Sequence, residues 1–274
     1  MTQAKLNIVK PIILKIFGEK LYRSILGHYK TYQIKTKKWY DIEIEIIPFA
    51  VKADESVLDI GANFGLYSYY MSKALKGRGV CYSFEPIPYT YSILEKICKN
   101  AKLKNVKLIN KGVGEKIETL QFSVPKQGNH SFNTGLSHIH TGVSREKQKF
   151  NERYAEYELV LCDIVAIDQF VSKEEVISLM KLDIEGAELM ALKGAQETIN
   201  NNYPTITCEI SQYCLDIFKV TKEDVALFLL GKNYKMYKFN KIQFKLNELN
   251  IHQMTKGNYV FIHPSRLDRF KSLL

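Results

Sequence analysis

The feature that most constrains this chain is the stretch Ser56 to Leu66, S-V-L-D-I-G-A-N-F-G-L. A short apolar run (Val57, Leu58, Ile60) is broken by one acid, Asp59, and followed by two glycines, Gly61 and Gly65, with Asn63 between them. An apolar run of this length that stops at glycine and passes into helix-forming residues predicts a buried parallel strand turning into a helix. Glycine serves such a turn through unusual backbone angles and through close approach of a ligand to main-chain N–H groups. The turn is therefore expected to cradle a cofactor.

Around it, strands and helices alternate, which predicts an α/β fold with a doubly wound parallel sheet. The expected strands are residues 57–60, 80–84, 106–109, 176–182, 205–210, 234–239 and 259–263. The expected helices are 65–75, 89–101, 187–201 and 222–230. Residues 117–168 interrupt the rhythm and read as short strands (119–124 and 157–161) around a polar, histidine-bearing loop from Lys126 to Lys149, a length that marks functional or disordered loops. Upstream, residues 5–29 carry apolar positions and lysines at helical spacing, with the main helix expected to start near Pro11. A second helix is expected over 40–51, kinked or ended by Pro48. The expected organisation is a basic helical segment over 1–50 and a main domain over 51–274, with 117–168 inserted over the site.

Charge separates the function classes. Residues 1–40 hold nine lysines and arginines against Glu19 alone, so +8 of the net +10 lies there. The remaining chain is close to neutral, which argues against a nucleic-acid groove across its body. The basic segment is expected to pack on the main domain or a partner, with contact to an anionic membrane surface through residues 5–29 as its other use. No apolar run reaches a membrane span, and the first residues lack a signal-peptide layout because Lys10 and Lys15 interrupt them. The five cysteines show no zinc-like spacing, as expected of reduced thiols in a cytoplasmic protein.

Two acids carry the chemistry. Glu85 ends the second strand in C-Y-S-F-E-P, twenty positions after Gly65. An acid there is expected to accept the hydroxyl protons of a ribose, a spacing that serves NAD and S-adenosylmethionine alike. Capping of the next helix before Pro86 is its other use. Asp183, in L-M-K-L-D-I-E-G-A-E, emerges at the carboxyl edge of the sheet, where ligands of open α/β folds sit. Glu185 and Glu188 follow at a helix entrance, where acids offset the macrodipole, and Glu188 is assigned mainly to that role. A hard cation on these oxygens is the less favoured use. His138 and His140 have the spacing of metal ligands on a strand, but no third ligand is evident nearby.

The blocks V-L-D-I-G-A-N-F-G-L-Y-S, F-E-P-I-P, L-K-L-D-I-E-G-A-E and C-E-I resemble the FkbM family of S-adenosylmethionine-dependent methyltransferases, over about residues 40–209. The resemblance implies a Rossmann-like class I methyltransferase fold of seven strands, the last antiparallel. It implies S-adenosyl-L-methionine as cofactor and methyl transfer, usually to oxygen, on a sugar, glycan or small-metabolite hydroxyl. By position, Gly61 and Gly65 would close on the methionine moiety, and Asp59 and Asn63 would hold its amino and carboxylate groups. Glu85, followed by Pro86, would take the ribose hydroxyls, and residues 111–113, with Gly112 and Val113, would border the adenine. Asp183 would face the transferred methyl, and Glu209 would open toward the acceptor. The tract G-N-H-S-F-N-T-G-L-S resembles the family's loop over the site, which favours His130 and Asn133.

A neutral hydroxyl needs a base, and Glu209, Asp183, His130, His138 and His140 are the candidates. Two other readings stay open. An RNA methyltransferase would use the basic leader, although no N-P-P-Y-type motif follows the fourth strand. An NAD-dependent oxidoreductase would lack the third glycine of its fingerprint and leave Asp183 without a role.

Overall fold

The computed structural model describes residues 3–126, 137–140 and 157–274, with the side chains of 3–15 and 17 outside that description. Helix α1 (Gln3–Lys35) runs on either side of a break at Gly18, whose φ of 74° and ψ of 174° are non-helical. The start expected near Pro11 is thus replaced by two helical pieces with glycine between them. The second piece packs on the main domain, where Arg23 Nη1 donates to Ser92 Oγ at 3.0 Å. The helix expected over 40–51 is a 3₁₀ turn over Ile42–Ile46 followed by α2 (Ile47–Ala50), and Pro48 opens α2. Proline lacks an N–H, which costs least in a helix's first turn. Ile44, Ile46 and Ile47 bury themselves in one cluster with Val57.

The Rossmann-like sheet follows. Strand β1 (Ser56–Ile60) is buried along its whole length and feeds α3 (Leu66–Ala74). Then come β2 (Cys81–Phe84), α4 (Pro88–Ala101) and β3 (Val106–Ile109). The 117–168 region, together with β4 (Gly112–Val113), forms a second sheet with β5 (Glu118–Pro125), β6 (His138–Ile139) and β7 (Tyr157–Val165), ordered β4-β7-β5-β6. A short α5 (Ile167–Phe170) returns the chain to β8 (Ile177–Leu182).

The single helix expected over 187–201 is two, α6 (Glu188–Lys193) and α7 (Gln196–Asn202), with Gly194 and Ala195 between them. A Cβ on Gly194 would lie 1.9 Å from the Gly114 carbonyl oxygen, so the junction is pinned against the second sheet. Beyond β9 (Thr205–Ile210) come α8 (Gln212–Leu215), α9 (Lys222–Leu230), β10 (Lys235–Asn240), β11 (Lys245–Leu249) and β12 (Gly257–Ile262). Helix α9 starts where the sequence places it because Thr221 and Asp224 form a reciprocal capping box.

The main sheet has eight strands, ordered β11-β10-β12-β9-β8-β1-β2-β3. Its central strands are parallel, and β12 inserts antiparallel between β9 and β10, as the class I fold requires. The eighth strand, β11, extends the edge by an antiparallel hairpin with β10. All five cysteines are free and buried. Among the described residues no helix is long and apolar enough to cross a membrane.

Candidate active site

At the carboxyl ends of β1, β2, β8 and β9 lies a cavity of about 360 Å³. Nine of the residues singled out from sequence line it: Gly61, Asn63, Glu85, Pro86, Gly112, Val113, Asp183, Glu185 and Glu209. Asp59 and Gly65 do not.

Four N–H groups of the glycine turn already have partners. Gly61 and Ala62 both donate their N–H to the Phe84 carbonyl, at 3.1 and 2.9 Å. Gly65 donates to Ala62 O at 2.7 Å, and Asn63 N–H goes to Glu85 Oε2 at 2.9 Å. These four N–H groups are bonded inside the turn, and the side chains of Asn63 and Glu85 line the cavity beside them. The glycines are there for packing: at φ 80°, a Cβ on Gly61 would stand 2.0 Å from the Asp183 carbonyl oxygen. On Gly65, at φ 76°, it would meet Leu94 Cδ1 of α4 at 2.5 Å. Asn63 itself has φ 48°, a left-handed conformation that asparagine tolerates better than most residues. Its Oδ1 is buried on the cavity wall with no partner among the described residues.

Asp59 lies under the turn, fully buried, where Ser68 Oγ donates to its Oδ2 at 2.5 Å. Burial pushes its carboxyl up, against the pull of Lys181. Its place is the interior of the sheet and not the ligand surface.

Glu85 sits as expected. Its Oε2 accepts from Asn63 N–H and its Oε1 from Ile87 N–H at 3.0 Å. These two bonds fix the carboxylate and leave each oxygen a further lone pair. Burial pushes its pKa up to about 7 despite those donors. Asn110 Nδ2 braces the strand end by donating to Glu85 O at 2.8 Å.

Asp183 follows β8 on the opposite wall. Its Oδ2 pairs with Lys181 Nζ at 3.2 Å, and the same ammonium donates to Gly61 O at 3.3 Å. Lys181 is a buried lysine that sequence reasoning passed over. Burial opposes its charge, and the carboxylates of Asp183 and Asp59 more than offset that, so its pKa ends above the ordinary value. A lysine inside an apolar strand was the available signal, because lysine is almost never fully buried unless paired. Next along, Glu185 at φ 54° and Gly186 at φ 108° make the tight turn into α6. There Glu188 Oε1 accepts from Ile184 N–H and Gly186 N–H, both at 3.2 Å, the capping role expected of it.

Glu209, on β9, is half-buried and faces Asp183. Burial, then the Asp183 and Glu185 carboxylates, raise its pKa, while Lys256 and Lys181 lower it. The roof comes from the second sheet, with Phe122 of β5, Ile139 of β6 and Ile164 of β7 on the lining. Those apolar lids were not identified from sequence. Because strands alternate faces, Ile139 lines the cavity while His138 and His140 do not, and His140 Nδ1 instead meets Ser123 Oγ at 3.0 Å. Lys111 pairs with Asp163 at 3.7 Å, outside the lining. His130 and Asn133 lie outside the described residues.

Comparison with known proteins places the chain in a family. Methyltransferase sdnD of Sordaria araneosa is 28% identical over 208 residues, 68% of this chain and 71% of that protein. The solved structure of methyltransferase FkbM from Methylobacillus flagellatus is 17% identical, with TM-score 0.47, and the match covers 76% of this chain but 44% of that one. A SAM-dependent O-methyltransferase from Thermotoga maritima is 9% identical with TM-score 0.43, covering 85% and 70% of the two chains. The family described as the methyltransferase FkbM domain matches residues 59–236, well over half of the chain and every cofactor-side residue named above. The chain belongs to the methyltransferase FkbM family.

Proposed function

We propose that the protein transfers a methyl group from S-adenosyl-L-methionine to a hydroxyl oxygen of a sugar, glycan or small metabolite. The observation that carries this reading is Glu85, held by two backbone N–H groups at the end of β2 with both oxygens still able to accept. A carboxylate in that place is the ribose anchor of a nucleoside cofactor. The rest of the cavity fits the same group. Asn63 Oδ1 offers a buried acceptor without a partner among the described residues. Pro86, Val113 and Ile164 give an apolar surface for a flat base. The volume of about 360 Å³ falls within the roughly 300–1,000 Å³ of small-molecule sites.

When bound, the cofactor supplies an electrophilic methyl on a sulfonium, which leaves the protein the tasks of alignment and proton removal. Lys181 fixes the Asp183 carboxylate by direct contact and ties it to the Gly61 carbonyl, so the exits of β1 and β8 hold one geometry. Glu209 is the general base: burial and its acidic neighbours raise its proton affinity, and it lines the same cavity. The hydroxyl proton of the acceptor passes to a Glu209 oxygen. Phe122, Ile139 and Ile164 keep water from the reacting centre.

Calorimetric titration with S-adenosylhomocysteine and with NAD, side by side, tests the reading. Binding of S-adenosylhomocysteine with no response to NAD is expected. Tight NAD binding with no response to the homocysteine compound contradicts it.

A further inference from the structure

Beside the cavity lies a second recess of about 30 Å³ that shares Asp183 and Glu209 with it. A single water needs roughly 10–15 Å³ by this kind of measure, so the recess holds one small polar group. Its wall is acidic. Asp41 and Glu43 reach it from the segment before α2, Asp183 from the end of β8 and Glu209 from β9. These carboxylates feel one another: Asp41 is pushed up by burial and then by Glu43 and Asp183. Two lysines stand nearby. Lys181 is committed to Asp183 and to the Gly61 carbonyl and lies 4.9 Å over the Tyr67 ring, while Lys256 is at the exposed rim of the larger cavity. Four carboxylates around one lysine leave the recess negative.

A separate observation points to a ligand there. Thr207 pairs in register with Lys181, so both side chains share one face of the sheet. Thr207 is 7% exposed and lines the recess, and its Oγ1 is buried with no partner among the described residues. Buried hydroxyls are normally satisfied, so the orphan marks where an outside group belongs.

We propose that this recess seats the protonated amine of the methyl acceptor, which makes the acceptor an amino sugar or similar amine-bearing polyol. The proposal rests on the methyl-transfer reading above. An ammonium carries three donors and no acceptor, matching the carboxylate oxygens and one hydroxyl oxygen of a wall whose single cation, Lys181, is already bonded to Asp183 and the Gly61 carbonyl. The small volume admits the ammonium but not the ring behind it, which stays in the larger cavity. Held among carboxylates, the amine keeps its proton and has no lone pair to methylate, so the methyl goes to a neighbouring hydroxyl.

Ligand-observed NMR titration of the full chain with D-glucosamine and with D-glucose tests this, run beside calorimetry with S-adenosylhomocysteine. D-glucosamine is expected to bind at least tenfold more tightly than D-glucose. The Asp41→Asn, Glu43→Gln double variant is expected to erase that preference while keeping its affinity for S-adenosylhomocysteine. If the double variant loses both ligands, Glu43→Gln alone is read in its place and is expected to reduce the preference. Equal affinity for the two sugars, or a preference unchanged in the variants, overturns the proposal. Amine selectivity in a protein that ignores S-adenosylhomocysteine keeps the recess and removes the methyl-transfer reading; the opposite pattern does the reverse.

Discussion

Single side chains decide what this site can do. Asp183→Asn keeps the shape of the residue but removes the charge that Lys181 faces at 3.2 Å, leaving a buried ammonium partly uncompensated. Turnover is expected to fall by at least a hundredfold with the circular dichroism spectrum unchanged; retained turnover would move the chemistry elsewhere. Glu85 makes the site sensitive to pH. Its pKa of about 7 means the protonated form dominates below neutrality, and a protonated carboxyl accepts ribose hydroxyls poorly. Affinity for S-adenosylhomocysteine is therefore expected to rise with pH and level off above about 7. Stability runs the other way. Glu85 and Glu188 both have folded pKa values of about 7 against an ordinary 4.5. Their contribution is fully present below about pH 4.5 and is lost as pH rises through about 7. Urea denaturation at pH 5 and pH 8 checks this, with Glu188→Gln expected to flatten the slope. Glu85 and Asp183 were legible in the sequence because each ends an apolar run with an acid. Lys181, Asp41, Glu43 and Thr207 were not, because their roles arise from strand register and from a distant segment folding over β8.

At the scale of elements, the two turns that leave β1 and β8 are built against each other. The space where a Gly61 side chain would stand is filled by the Asp183 backbone. Gly61→Ala is thus expected to destabilise the protein by about 3–5 kcal/mol, combining a left-handed backbone with a clash that main-chain atoms cannot relieve. Gly77 has a similar φ of 79° but nothing within 4 Å, so Gly77→Ala should cost only about 1–2 kcal/mol. Equal losses in chemical denaturation would contradict this account of the turn. The pattern G-A-N-F-G revealed that a tight turn was present but not what occupied the space the glycines leave. Period and length located most strands of the main sheet within a residue or two. The divided helix α6–α7 escaped notice because its break is set by contact with Gly114, and β11 because its polar, half-exposed residues lack an apolar pattern.

Across the whole molecule, the segment after β12 is tied to the residue that leads into β1. Glu55, just before β1, pairs with Arg266 at 3.4 Å and Arg269 at 3.2 Å, all three side chains being largely buried. Arg266 also donates to Asn202 O at 2.7 Å and Arg269 to Ala50 O at 3.1 Å. Glu55→Gln leaves two guanidinium groups facing no anion and is expected to cost about 3 kcal/mol in urea denaturation; a loss under about 1 kcal/mol would show that the network is dispensable. None of this could be read from the last 60 residues alone, because a salt bridge across more than two hundred positions leaves no local signature. This network lies at the amino ends of the parallel strands, opposite the carboxyl edge that holds the cavity on which the functional account depends. The most direct test of that account is calorimetric titration of the wild type and Glu85→Ala with S-adenosylhomocysteine at pH 8. Removal of the ribose acceptor is predicted to weaken binding by about 1–3 kcal/mol; equal affinity in the two proteins, or no binding to the wild type, would contradict it.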